Sequence, residues 1–327
     1  MADSRVAALA EGALMAALTV VLVLAGYFIP FLQVITNIIW TVPIVVLIVR
    51  RDMRIGAMAT VTSALAIAFF TGPLNAVLLF IQFAGLGLVY GYLFKTGAGP
   101  GRALVAGGLV SFFSTFLSLF VTSLVTGLPL GGILQEFEAA VDHTLDFYRR
   151  MGMLEHMARS GMNPEELQAA LAGMIGFLKL LLPGILVTAS MGAAFVNYLV
   201  AARVLHRLEL VKEGPPPFRH WQLPWYAVWG VIAGLALWQA GDYYGLPLIY
   251  KTGLNILYIY FPFLVGNGLA ALSFFLYRLK PGPFIKMLIL FAALINLPVV
   301  LFSLATLGLF DPFFSNRRRM NPSDKGE

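Results

Sequence analysis

Of 327 residues, 59% are hydrophobic and 12% charged, with a mean hydropathy of +0.84; soluble domains average about 25% charged residues, so a soluble protein is excluded and a polytopic membrane protein is implied. Cysteine is absent, which excludes a disulfide framework, a thiolate metal site and a cysteine nucleophile. The net charge of +6 reads as basic cytoplasmic loops rather than a nucleic-acid surface.

The first span, Ala7 to Phe28, is long enough to cross a hydrocarbon core of roughly 30 Å as a helix. It carries one acid, Glu11. Its small residues Ala10, Ala13 and Ala17 recur at three- and four-residue spacing, the pattern that lets another helix approach closely in lipid. After Ile29-Pro30-Phe31, a polar segment with Gln33, Thr36 and Asn37 leads into span two, about Ile38 to Val49. Arg50, Arg51 and Arg54 form a basic turn. Span three, Ile55 to Phe70, ends at Thr71-Gly72-Pro73. Span four, Leu74 to Phe94, carries Asn75, Gln82 and the Gly87/Gly91 pair, and span five is Ala103 to Val125.

Thr126 to Lys179 reads differently, as an acidic segment with two amphipathic helices. In the first, Ile133, Leu134, Phe137, Val141, Leu145 and Tyr148 share a face. The second opens at Asn163-Pro164-Glu165-Glu166, with a capping Asn, Pro at the first helical position and acids in the first turn. It runs on toward span six, which Pro183-Gly184 should kink and which ends near Ala202. His206 to Pro224 is a polar, proline-rich linker, followed by the interfacial aromatics Trp221, Trp225, Tyr226 and Trp229. Spans seven, eight and nine are about Trp225 to Ala240, Gly253 to Leu276 and Phe284 to Leu309.

The expected fold is thus all-α: a polytopic integral membrane helical bundle of about nine transmembrane segments, with amphipathic outer helices between spans five and six. The units are 1–205, six spans with the outer insertion at 126–179; 206–224, a cytoplasmic linker; 225–310, three further spans; and 311–327, a basic tail. Basic residues between spans place the N-terminus in the cytoplasm and the 126–179 segment outside. Nine crossings leave Arg317, Arg318, Arg319 and Lys325 outside, against that rule. A re-entrant turn at Asn296-Leu297-Pro298 or a break at Pro262 would return the tail to the inner side.

Candidate binding residues follow from the cost of polar groups in lipid. Ser111, Ser114, Thr115, Ser118 and Thr122 share one face of span five, which either lines a ligand cavity or packs helices through small hydroxyl residues. Asn75 and Gln82 share a face of span four, and Asn197 lies in span six. Asn255, Asn267 and Asn296 are ligand amides or interhelical clamps, with the structural role favoured. His143 and His156 read as solvated, and no metal cluster, Walker motif or GxGxxG after a strand is present in the sequence. The expectation is a protein that is not an enzyme, with no cofactor and no metal.

The six spans from Ala7 to Ala202 resemble the substrate-binding S component of energy-coupling-factor vitamin transporters. The matching features are Ala13-x-x-x-Ala17, the Pro30 break with its polar sequel, the Arg50–Arg54 turn and Phe70-Thr71-Gly72-Pro73. The resemblance implies a small-molecule ligand held on the outer side, and a transmembrane coupling protein with ATPase subunits docked on the first helix. On it rest a candidate ligand set of Gln33, Asn37, Asn75, Gln82, Ser114, Ser118 and Asn197, and a candidate docking face of Ala10, Ala13 and Ala17. The whole chain is also similar to the YybS-like family of bacterial membrane proteins. Gly253-Leu254-Asn255, Gly268-Leu269-Ala270 and Gly308-Leu309-Phe310-Asp311 carry that likeness. The functional expectation is binding, uptake or sensing of a small molecule in the bacterial plasma membrane. The alternative is a structural or regulatory protein of envelope assembly with no ligand.

Overall fold

The computed structural model describes residues 2–127, 164–212, 214–280 and 295–313, with individual positions between 128 and 163 and between 281 and 294. Among these residues the chain is helical and has no strand. In order, the helices are α1 (Ala2–Phe28), α2 (Pro30–Ile39), α3 (Val42–Arg50), α4 (Met53–Thr71), α5 (Pro73–Lys95), α6 (Pro100–Thr126), α7 (Pro164–Arg207), α8 (Val228–Tyr243), α9 (Pro247–Leu279) and α10 (Leu297–Phe310). Among the described residues, seven helical stretches are long and apolar enough to cross a membrane: those of α1, of α2 and α3 together, and of α4, α5, α6, α7 and α9. An all-α polytopic bundle is what this composition builds, because a backbone in lipid must satisfy its own hydrogen bonds.

The two remaining expected spans are represented by helices of 16 residues, α8, and 14 residues, α10. The latter extends only about 21 Å at 1.5 Å per residue. It begins just after Asn296, the position where a turn was expected. The six positions that define the first amphipathic outer helix, and the basic residues of the tail, lie outside the described residues.

Two points about breaks that the sequence leaves open are answered by the helices. The polar segment before span two is itself helical: α2 starts at Pro30, its missing N–H costing nothing at a first helical position. Thr36 Oγ1 bonds back to Gln33 O at 3.2 Å. Gly26 of α1 is what admits α2, since a Cβ there would lie 2.0 Å from Thr36 Oγ1. Second, Pro262 does not break span eight, because α9 runs unbroken through it for 33 residues.

The chain divides into two compact units. The first holds residues up to 179 and 189–215; the second holds 180–188 and everything from Pro216 on. Within the first unit α3 is the central helix. Its run Val42-Pro43-Ile44-Val45-Val46-Leu47-Ile48 is apolar all round and buried all round. Val42, Val45 and Val46 pack with Leu86 and Tyr90 of α5 and with Ala194, Tyr198, Ala201 and Leu205 of α7. Ile44, Leu47 and Ile48 pack with Ala16 of α1 and Ala59 of α4. Small residues set the spacing: Cβ atoms on Gly56 and Gly91 would meet Ile48, and one on Gly107 would meet the Tyr90 ring. The Tyr90 hydroxyl donates to Ala194 O at 2.7 Å.

In the second unit, α8, α9 and α10 meet backbone to backbone at glycines. A Cβ on Gly253 would lie 2.2 Å from Trp238 N, and one on Gly268 or Gly308 would lie 2.0 Å from Leu304 O or Leu264 O. Pro183 lies inside α7, where its ring and missing N–H disturb the ladder. One turn of that ladder is taken over by Asn255 of α9. Its Oδ1 accepts from Gly184 N at 2.6 Å while its Nδ2 donates to Leu180 O at 2.9 Å, the two backbone groups that an unbroken helix would pair with each other.

Candidate functional site

Polar side chains in the first unit gather on α6 and on the residues of α7 from Ala189 onward. Helix α6 is 27 residues long and ends at Gly127, whose φ of 70° suits a glycine cap. Ser111 and Ser118 are buried in it. Thr115 Oγ1 donates back to Ser111 O at 2.9 Å, and Ser190 Oγ of α7 donates to Thr115 Oγ1 at 3.2 Å. Ser118 is different. It is 8% exposed, yet its Oγ meets no hydrogen-bond partner among the described residues. A buried hydroxyl usually finds one, so this atom marks a place where a polar group is wanted. It sits eight residues from the C-terminal end of α6, about 12 Å along the axis.

The other candidates fall into separate environments. Asn197, 3% exposed, joins three segments: its Oδ1 accepts from Thr41 Oγ1 at 2.8 Å, and its Nδ2 donates to Asn37 O at 3.2 Å and Ala193 O at 2.9 Å. Asn37 enters through its carbonyl, while the residue itself is exposed, as is Gln33. Asn75 Nδ2 donates to Tyr27 Oη at 3.0 Å and to Thr71 O at 2.9 Å, tying the end of α1 to the start of α5. Gln82 is exposed, and Ser114 is half-buried beside Gly85. The geometry therefore brings Asn37 and Asn197 together, and the described hydrogen bonds join none of Asn75, Gln82 and Ser118 to one another.

Helix α1 uses its small residues on two sides. Ala8, Gly12 and Ala16 are buried, with Thr19 and Val23 continuing that face inward. Ala10, Ala13 and Ala17 are exposed, on a face that no described part of the chain covers.

Sequence reading missed two features of this unit. Glu11 is held by Arg50 and Arg51, 39 and 40 positions away. The ammonium of Lys95 donates to Ile48 O at 3.2 Å and to Arg51 O, capping the C-terminal end of α3. The isolated acid in α1 and the basic turn after α3 were both visible as residues; only the antiparallel packing of those helices pairs them.

A family model described as "Predicted membrane protein (DUF2232)" matches residues 17–312. The chain is also similar to a protein of Bacillus subtilis (strain 168) described as "Uncharacterized protein YybS". The two are 21% identical over 322 residues, covering 96% of this chain and 98% of that protein. The YybS-like kinship expected from the C-terminal motifs is borne out by this relative. No solved structure matches the chain.

Proposed function

The chain belongs to the DUF2232 family of predicted membrane proteins, and on that footing we propose that its six-span N-terminal unit is a binding module for a small polar molecule taken from the outer side of the membrane. It acts without chemistry of its own, moving or sensing that molecule together with partner subunits. The observation that carries this reading is the buried hydroxyl of Ser118, which has no hydrogen-bond partner among the described residues. Leaving a buried donor unsatisfied costs about 1–3 kcal/mol, which a ligand atom would recover. Ser111, Thr115 and Ser190 beside it continue a polar seam of the kind that orients a ligand in an otherwise apolar pocket. The S-component resemblance supports the same reading and adds a coupling protein with ATPase subunits. The exposed Ala10, Ala13 and Ala17 face suits close helix docking by such a partner.

Thermal unfolding of the purified full-length protein tests this. Without ligand, Ser118→Ala is more stable than wild type, because the orphan hydroxyl is gone. Across a panel of small polar metabolites, at least one raises the wild-type midpoint by several degrees and raises that of Ser118→Ala much less. If Ser118→Ala is less stable than wild type without ligand, the hydroxyl has a protein partner and the reading fails.

A second reading, a ligand-free structural or regulatory membrane protein, is favoured by Asn197, whose amide is fully used in clamping helices. Ala13→Leu and Ala17→Leu probe both. Loss of a co-purifying ATPase pair, with membrane insertion intact, supports uptake; loss of an envelope protein instead supports the second reading.

A further inference from the structure

A cleft of about 760 Å³ opens at the end of the first unit that holds the start of α1 and the end of α3. Ala10, Glu11, Leu14, Arg50, Arg51 and Leu210 line it. Glu11 lies at the bottom, its side chain only 15% exposed, with both oxygens occupied: Oε1 by Arg50 Nη1 at 2.8 Å and Oε2 by Arg51 Nε at 2.5 Å. The two guanidinium groups lie over it and remain 47% and 35% exposed. One carboxylate against two guanidiniums leaves a net positive charge facing outward. The remaining N–H groups of both arginines have no partner among the described residues. The carboxylate fixes the two forks side by side, the arrangement that grips a phosphate through several parallel bonds.

One lip of the cleft is apolar. Leu14 is 66% exposed, and Leu18 and Val21 continue its face of α1 for two further turns, both exposed. A cationic fork beside an apolar helical track matches an amphiphile. We propose that this cleft binds the phosphate of an anionic phospholipid headgroup between Arg50 and Arg51, with an acyl chain lying along Leu14, Leu18 and Val21. Arg54, Lys95, Arg203 and Arg207 belong to helix ends at the same pole of the unit and Lys212 follows the end of α7, with Asp3, Asp52 and Glu209 among the acids there. Excess basic charge marks the cytoplasmic side, whose leaflet is rich in anionic lipid. The phosphate site is separate from the small-molecule site at the other end of the unit, and it shares only Ala10 with the proposed docking face.

The test is native mass spectrometry of the detergent-purified full-length protein, with phosphatidylglycerol and phosphatidylcholine of identical chains as probes. Wild type retains phosphatidylglycerol at least tenfold better than phosphatidylcholine. Each arginine near an anionic surface contributes about 1 kcal/mol, about fivefold, so Arg50→Gln combined with Arg51→Gln erases the preference. Glu11→Gln, which removes the opposing charge, keeps or strengthens it. Leu14→Glu changes only the exposed lip and lowers retention even if the double variant does not fold. Equal retention of the two lipids by wild type overturns the proposal, as does an undiminished preference in Leu14→Glu. Displacement of phosphatidylglycerol by millimolar glycerol 3-phosphate overturns the lipid as the source of the phosphate.

Discussion

A side-chain amide offers one acceptor and two donors, and at Asn197 and Asn255 all three are used on other parts of the protein. Asn267 works similarly, accepting from Leu223 N at 3.2 Å and donating to Gly308 O at 2.7 Å. In lipid there is no water to take over these bonds, so each amide is a clamp whose loss strands backbone groups. Asn255→Ala is predicted to cost about 1–3 kcal/mol, read as a lowered unfolding midpoint in detergent, with protease cleavage near Gly184 exposed first. An unchanged midpoint means the α7 ladder closes by itself. Asn197→Leu is predicted to cost a similar amount. The sequence marks these residues as expensive in a membrane. It does not tell a clamp from a ligand contact, because the deciding partners lie 71 to 160 positions away. Ser118 shows the converse: it reads as an ordinary member of a serine and threonine face, and only packing reveals that its hydroxyl has no partner among the described residues.

Most helices are visible in the sequence because apolar length and Gly-Pro punctuation report on lipid crossing directly. The start of α4 adds a local signal: Asp52 Oδ1 accepts from Ile55 N at 2.8 Å, a helix cap three residues before its donor. Errors fall where polarity and helicity part company. Gln33, Thr36 and Asn37 read as a polar segment outside the spans but are helical, since Thr36 bonds to its own backbone and packs on Gly26. The packing partners of glycines were also hidden, because a GxxxG spacing names a face and not its neighbour. Gly308→Val is predicted to separate α9 from α10, since its Cβ would occupy the position of Leu264 O. The readout is a lower unfolding midpoint and faster proteolysis of the C-terminal unit in the full-length protein. Gly266→Ala, where an added Cβ meets nothing within 4 Å, leaves both unchanged.

At the level of the whole molecule, the first unit is polarised. One pole collects the Arg50–Arg54 turn, Lys95 and the end of α7, and the described residues of the opposite ends of α1, α4, α5 and α6 carry no charge. By the positive-inside rule, we propose that this asymmetry places the N-terminus inside. The chain has no native cysteine, so Ser160→Cys and Arg219→Cys can be labelled singly. An impermeant maleimide applied to intact cells is predicted to label the first and spare the second; the reverse pattern inverts the orientation. With the N-terminus inside, the end of α6 beyond Ser118 faces outward, where a small molecule would be captured. The most direct measurement of that claim is native mass spectrometry of the full-length protein extracted gently from its own membranes, compared with a Ser118→Leu variant that replaces the hydroxyl with a bulkier apolar side chain. The account predicts a discrete small molecule released from wild type and missing from the variant. A bare polypeptide from wild type, with Ser118→Leu equally stable and indifferent to every metabolite tested, would contradict it.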